Sequence, residues 1–337
     1  MKIGFLFPGQ GSQATGMGKD IYDKYEVAKD VYDQVKKVTG IDVADITFNQ
    51  PAEILNQTKY TQISILTMSL AILKVLEQHG IKADASAGLS LGEYSALVYG
   101  NILSFEDGVS IVKNRGTYMQ EMLPKGEWSM AAIMGLDEKA VEEACAKVTK
   151  GFVRPVNFNT VGQIVASGDK NGIEELQKIA LESGAKKVRL LNTAGPFHTE
   201  KLEKASEALR NDLEKIKFKK ASSKVFKNID GTEYTESNDM PDILAKHIIS
   251  PVKFTKVLKS MYDDGIDTFV EIGPGKTLSG FVKRMNFDKD VLILNINNVE
   301  SLESTIDYFK AKDLFEAGSA AMFNAGAWDA ATVTESL

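Results

Sequence analysis

Gly88-Leu89-Ser90-Leu91-Gly92 is a G-x-S-x-G pentapeptide. Such a stretch exposes a serine hydroxyl on a strained turn between a strand and a helix, with the glycines allowing close backbone approach. The Leu91 N–H follows the serine at the start of that helix and can help bind an oxyanion. The chemistry would be acyl transfer or hydrolysis through Ser90. The plain alternative is a tight turn with a buried serine. A serine nucleophile needs a base, and the chain has three histidines, His79, His198 and His247. His79 precedes Gly80 at a helix end, where a histidine caps the helix. His198 lies in Ala194-Gly195-Pro196-Phe197-His198-Thr199, a proline-held loop at a junction between two regions. That is a good place for a base, and His198 ranks first. His247, before Ile248-Ile249-Ser250-Pro251, is open between a structural and a supporting role.

Arg115 is the next residue with chemical meaning. It falls three and four residues after Val112 and Ile111, on the face of a helix that also holds Tyr118, Met119 and Met122. An arginine on a core-facing stripe is costly unless paired. It is either half of an internal salt bridge or a two-pronged clamp for a substrate carboxylate.

Two glycine patterns compete with this reading. Gly9-Gln10-Gly11-Ser12-Gln13-Ala14 matches a dinucleotide fingerprint, with Asp30 and Asp33 near the spacing of a ribose-binding acid. That reading leaves Ser90, His198 and Arg115 unused. The alternative is a rim loop beside the serine. Gly273-Pro274-Gly275-Lys276-Thr277 ends like a phosphate loop, but its required first glycine falls at Val270. It reads instead as a strand ending in a tight turn.

These residues need elements to hold them. Lys2 to Phe7 reads as a short strand closed by Pro8-Gly9. A polar helix follows over 20–38, and a buried apolar helix over 62–77. Ala83 to Gly88 is a strand of small residues, so a strand, a turn and a helix meet at Ser90. Ser104 and Asp107 resemble a capping box opening a helix that runs to about Met122. From Trp128 the texture changes. Strands at 129–134, 152–156, 163–167 and 187–191 alternate with helices at 138–148 and 173–183, the pattern and size of a ferredoxin-like unit. Longer elements return after Gly195-Pro196: a helix at 200–216, strands at 268–272 and 291–296, and a last helix at 299–309. Residues 311–337 carry eight alanines and one basic residue, Lys312, with no turn or cap logic. They read as a mobile extension of unknown role.

Composition narrows the classes. The chain has 337 residues, 43% hydrophobic and 26% charged, which is globular and long enough for a large core. No apolar run approaches the roughly 20 residues of a membrane helix. The N-terminal apolar stretch is too short for a signal peptide. The single cysteine, Cys145, forbids an internal disulfide and a multi-cysteine metal site. The net charge of −6 disfavours broad nucleic-acid binding. A soluble cytoplasmic protein is the expectation.

Together, Phe7–Gln13, Gly88–Gly92, Arg115, Asn157-Phe158-Asn159 with Gly162-Gln163, Pro196-Phe197-His198, Ser250-Pro251-Val252 and Glu271–Gly275 resemble the malonyl-CoA:acyl carrier protein transacylases. More broadly, they resemble the acyltransferase domains of fatty-acid and polyketide synthases. The resemblance spans about residues 1–310. It implies an α/β-hydrolase-like catalytic domain from 1–126 and 195–310, and an inserted ferredoxin-like α+β subdomain at 127–194, with the site in the cleft between them. It implies Ser90 as nucleophile, His198 as base, and the N–H groups of Gln10 and Leu91 as the oxyanion hole. Arg115, Phe197, Asn159 and Gln163 fall on the substrate side, Arg115 as ligand of the malonyl carboxylate. A backbone carbonyl at His247 would orient His198. The partners implied are malonyl-CoA, as substrate, and an acyl carrier protein, with no nucleic acid and no membrane. A monomer is expected. Carrier docking on an acidic chain calls for a local basic patch. Lys186, Lys187 and Arg189 are candidates, the alternative being a solvated strand end. Two positions depart from the common pattern: Leu89 stands where many members have histidine, and His247 where relatives often have glutamine. A serine hydrolase is the first rival function. A nicotinamide-binding oxidoreductase, based only on the glycines after Phe7, is the second.

Overall fold

The computed structural model describes residues 1–192 and 195–324, with the side chains of the final helix as far as Asp313. In chain order the described strands are β1 (Ile3–Phe7), β2 (Ala85–Gly88), β3 (Trp128–Met134), β4 (Val153–Thr160), β5 (Gln163–Asp169), β6 (Lys187–Leu190), β7 (Lys224–Val225), β8 (Thr268–Ile272) and β9 (Leu292–Ile296). They form two sheets, one of five strands in the order β7-β2-β1-β8-β9 and one of four in the order β4-β5-β3-β6.

Every pair in the five-stranded sheet is parallel. Helices cover both faces of such a sheet, so its strands bury all their residues and read as unbroken apolar or small-residue runs. All of β2 and β8 is buried accordingly. The register pairs Phe7 with Gly88 and Leu6 with Glu271. Three strands therefore end level, and the loops after Phe7, Gly88 and Ile272 open along one edge. The carboxyl edge of a parallel sheet is where such folds bind ligands.

The four-stranded sheet is antiparallel throughout. Its order, with one helix after β3 and another after β5, is the split β-α-β arrangement expected over this stretch. Asp137 and Asp169 cap those helices (Glu138–Ala146 and Lys170–Glu182), accepting from the N–H groups of Ala140 and Gly172 at 2.7 Å each. The helices bury Val141 and Leu176 against Ile133 and Phe158. The four-stranded sheet is tied at Val252 to the segment that precedes the helix Phe254–Asp263. The Phe158 N–H donates to the Val252 carbonyl, and the Val252 N–H donates to the Val156 carbonyl, both at 2.8 Å.

Three expectations need correction. The helix read over 20–38 is two, Lys19–Lys24 and Glu26–Thr39, broken at Tyr25, whose backbone is extended. The Tyr25 hydroxyl donates to Glu303 at 2.9 Å, tying the break to the last helix. The helix read over 200–216 opens with a 3-10 turn, Glu200–Leu202, before Glu203–Leu213. The last helix does not stop at 309 but runs Val299–Asn324, straight through the start of the supposed tail. The missing turn and cap signals at 311 belong to a continuing helix rich in good helix formers. Residues 325–337 of that tail, and the boundary expected at 194, lie outside the described residues. Among the described residues no helix is long and apolar enough to cross a membrane.

Candidate active site

β2 ends at Gly88 and the next helix spans Gly92–Tyr99. Between them Ser90 takes φ 54°, in the left-handed region that side chains avoid. The turn is too crowded for side chains at its glycines. A Cβ on Gly92 would lie 2.1 Å from the Phe7 carbonyl oxygen, so only glycine lets this helix start against the end of β1. The Leu89 N–H donates to the same carbonyl at 2.9 Å. That approach lays the Gln10 loop beside the serine. Among the described residues, neither the Gln10 nor the Leu91 N–H donates to a backbone carbonyl. Both remain available to an incoming oxyanion.

His198 also takes a left-handed backbone, φ 60°. Among the described residues only two other non-glycines do so, Asn101 and Asn286, of a type that tolerates it. Backbone strain thus sits on the serine and the histidine, where the surrounding structure must enforce it. The His198 Nε2 lies 2.9 Å from Ser90 Oγ. Its Nδ1 lies 2.8 Å from the His247 carbonyl and 3.1 Å from the Ser250 carbonyl. Carbonyls only accept, so Nδ1 carries the proton and Nε2 presents its lone pair to the serine hydroxyl. Burial pushes the imidazole pKa down to about 4, helped by the charge of Arg115 and opposed by the two carbonyls. The ring is therefore neutral, in its basic form, at physiological pH.

Arg115 is fully buried. It lies on Phe105–Glu121, a helix capped by Ser104, whose Oγ accepts from the Asp107 N–H at 3.1 Å. One guanidinium N–H donates to Gln62 Oε1 at 2.7 Å and another to Ser90 Oγ at 3.2 Å. The Tyr94 ring lies beneath it, 5.4 Å from centroid to Cζ. Its Nε has no partner among the described groups, and none of the ion pairs involves it. The internal salt bridge is thus excluded among the described residues. What remains is a buried cation aimed at the serine and short of an anion. Burial lowers its pKa, with Tyr94 and Glu93 opposing.

The other expected residues fall less close. Phe197 is buried and packs beside Gly195. Asn159 is buried near the Val252 junction, and its Oδ1 has no partner among the described groups. The Gln163 side chain accepts instead from Arg284, on the helix Thr277–Met285; no described hydrogen bond joins it to Ser90, His198 or Arg115. His79 is exposed and ends the long helix Thr58–Gln78. The fingerprint-like loop after β1 opens no helix at Gly11, since the next one begins at Lys19. The loop at 273–277 cannot cradle phosphate either. Glu271 already accepts from the N–H groups of Leu278 and Ser279 at that helix start.

Four functional neighbours were not picked out from sequence. Gln62 was placed only at the start of an apolar helix, though a buried amide there was a signal. Glu93, in an otherwise apolar segment, was another. Tyr94 and Asn228 gave none.

Comparison with known proteins places most of the chain. Residues 4–293 match the model of the acyl transferase domain. The chain is 40% identical over 314 residues to the malonyl CoA-acyl carrier protein transacylase of Bacillus subtilis, covering 93% of this chain and 98% of that one. It superposes with TM-score 0.89 and 39% identity on the transacylase of that name from Clostridium perfringens, covering 94% of this chain and 100% of the other. A malonyl-transacylase solved in complex with a type II PKS acyl-carrier protein matches with TM-score 0.87 and 32% identity, covering 91% and 100%. The chain belongs to the family of malonyl CoA-acyl carrier protein transacylases, built on an acyl transferase domain.

Proposed function

We propose that this chain moves a malonyl group from malonyl-CoA to the phosphopantetheine thiol of an acyl carrier protein, in two steps through a malonyl ester on Ser90, for fatty-acid synthesis. The observation that carries the reading is Arg115, buried, without a carboxylate partner among the described residues, and hydrogen-bonded to the reacting oxygen.

In the first step Ser90 Oγ attacks the thioester carbonyl carbon while His198 Nε2 takes its proton. The carbonyl oxygen becomes an oxyanion held by the N–H groups of Gln10 and Leu91. The intermediate collapses, the C–S bond breaks, and CoA leaves with the proton from His198. In the second step the carrier thiol gives its proton to His198 and attacks the ester, and Ser90 recovers its hydrogen. Ester and thioester are close in energy, so the transfer runs both ways. The route uses no metal or redox cofactor. It is placed in the cytoplasm.

Arg115 supplies the selectivity. An apolar pocket gains only about 1–3 kcal/mol from one extra methylene. A buried charge left unpaired by an acetyl group discriminates more sharply, because the shorter acyl chain cannot satisfy it. Carrier docking falls to Lys186, Lys187 and Arg189, on or beside the edge strand β6. Charge-reversal there should slow transfer to the carrier at low salt more than at high salt, and equal slowing would place the dock elsewhere.

The test is to mix the protein with malonyl-CoA, without carrier, and take intact mass followed by peptide mapping. A lasting malonyl increment on the Ser90 peptide supports the transferase. Free malonate with no adduct makes the protein a hydrolase. No adduct and no turnover overturns the reading.

A further inference from the structure

Glu93 is a carboxylate only 1% exposed, three residues after the serine and outside the proposed chemistry. Its partners explain its place. Oε1 accepts from the Tyr234 hydroxyl at 2.8 Å and from the Asn228 N–H at 3.2 Å. The Asn228 side chain in turn grips the strained turn from both sides. Its Oδ1 accepts from the Ser90 N–H at 2.7 Å, and its Nδ2 donates to the Gly88 carbonyl at 2.6 Å. The other Glu93 oxygen, Oε2, lies 3.2 Å from His247 Nδ1, with both side chains buried. That contact is close but off the hydrogen-bonding axis, and neither ring nitrogen of His247 completes a hydrogen bond among the described groups. The His247 backbone carbonyl is the nearer acceptor for His198.

We propose that Glu93 is a positioning residue that holds both halves of the Ser90–His198 pair. One oxygen acts through Asn228 on the serine turn, and the other steadies the His247 segment whose carbonyl orients the histidine. The inference rests on the proposed roles of Ser90 and His198. Two left-handed residues must be kept in register, and a dislocation of about 1 Å at such a pair costs about 100-fold in rate. Burial raises the Glu93 carboxyl to about 7 and lowers the His247 imidazole well below its usual value, so the contact is not an ion pair of two full charges. A neutral amide can therefore replace the carboxyl. In Glu93→Gln the side-chain carbonyl would accept from Tyr234 and Asn228, and the amide N–H would face His247.

The test compares the full-length wild type with Glu93→Ala, Glu93→Gln and Asn228→Ala. Read-outs are steady-state malonyl transfer and the rate at which a fluorophosphonate, with neither carboxylate nor CoA, labels Ser90. Expected are a 10- to 100-fold fall in kcat for Glu93→Ala, on the order set by misplacement, with KM for malonyl-CoA little changed. Labelling should slow in parallel, Asn228→Ala should behave alike, and Glu93→Gln should recover to within a few-fold of wild type. A loss confined to KM, unchanged labelling in Glu93→Ala, or Glu93→Gln as slow as Glu93→Ala would each overturn the proposal. If Glu93→Ala fails to fold, Asn228→Ala and Glu93→Gln decide it. Failure of the wild type itself to label at Ser90 would break the nucleophile assignment instead.

Discussion

The two sheets of this protein differ in how they use sequence. The antiparallel sheet, β3 to β6, closes within one stretch of chain, and its helices are capped by aspartates that start them. The parallel sheet joins β1 to β8 across some 260 residues and to β2 across some 80. The local unit is a frame built from one stretch of chain. The dispersed unit brings the Phe7, Gly88 and Ile272 loops to one edge and so makes a site. Non-local pairing is costly to assemble, yet it can gather Gln10, Ser90 and the Glu271 turn together.

That contrast can be broken by mutation, beginning with the chemistry. His198→Ala should lower malonyl transfer by roughly 100- to 10,000-fold with the fold intact, measured by single-turnover acylation. An unchanged acylation rate would remove His198 as base. Gly92→Ala comes next. Its methyl would meet the Phe7 backbone oxygen, which has no room to give, so most activity should go, together with thermal stability. Gly162→Ala, in the β4–β5 hairpin at φ 72° with nothing nearer than 3.9 Å, should cost only about 1–2 kcal/mol and spare kcat. Similar damage from both would mean that the parallel edge is no more constrained than the hairpin. Leu176→Ala, in the core of the antiparallel unit, should remove about 2–5 kcal/mol of stability by chemical denaturation. Its kcat should hold below the transition, because that unit acts as a frame.

Arg115→Ala sharpens the electrostatic side. It should erode preference for malonyl over acetyl while leaving some acetyl turnover. Burial and the Arg115 charge together hold His198 at about 4. Removing the charge favours the imidazolium, so the acid limb of kcat/KM for acetyl-CoA should move to higher pH. It should still stay below the ordinary histidine value, because burial remains the larger cause. A limb that stays put would show that burial alone sets the histidine. The smallest effect is expected from His247→Gln. The backbone carbonyl that accepts from His198 is retained, and a glutamine amide can still face Glu93, so kcat should change by less than a few-fold. A large loss would show that the glutamine amide cannot stand in for the ring against Glu93.

The frame was more legible than the site. The alternation of short strands and helices placed β3 to β6 and both their helices within a few residues, because local signals act locally. The break at Tyr25 was hidden, since what holds it is Glu303, far along the chain. Ser90, His198 and Arg115 stood out because glycine spacing, histidine scarcity and a charge on an apolar stripe are visible in one dimension. The cross-links between them are not. Nothing in Phe226-Lys227-Asn228 announces that its amide will reach a serine 138 positions away. The Gln163 assignment rested on resemblance, and the structure gives that side chain to Arg284.

The unanswered guanidinium of Arg115 has a thermodynamic consequence. Folding leaves a buried cation with one nitrogen unbonded among the described groups, which an anionic ligand would satisfy. A malonyl group on Ser90 would bring that anion covalently, beyond the reach of dilution. The loaded protein should therefore melt at a higher temperature than the empty one. If Ser90 carries the malonyl group, then where malonyl-CoA is plentiful the species that waits for a carrier would be the acylated enzyme, with the bare serine a brief interval between two esters.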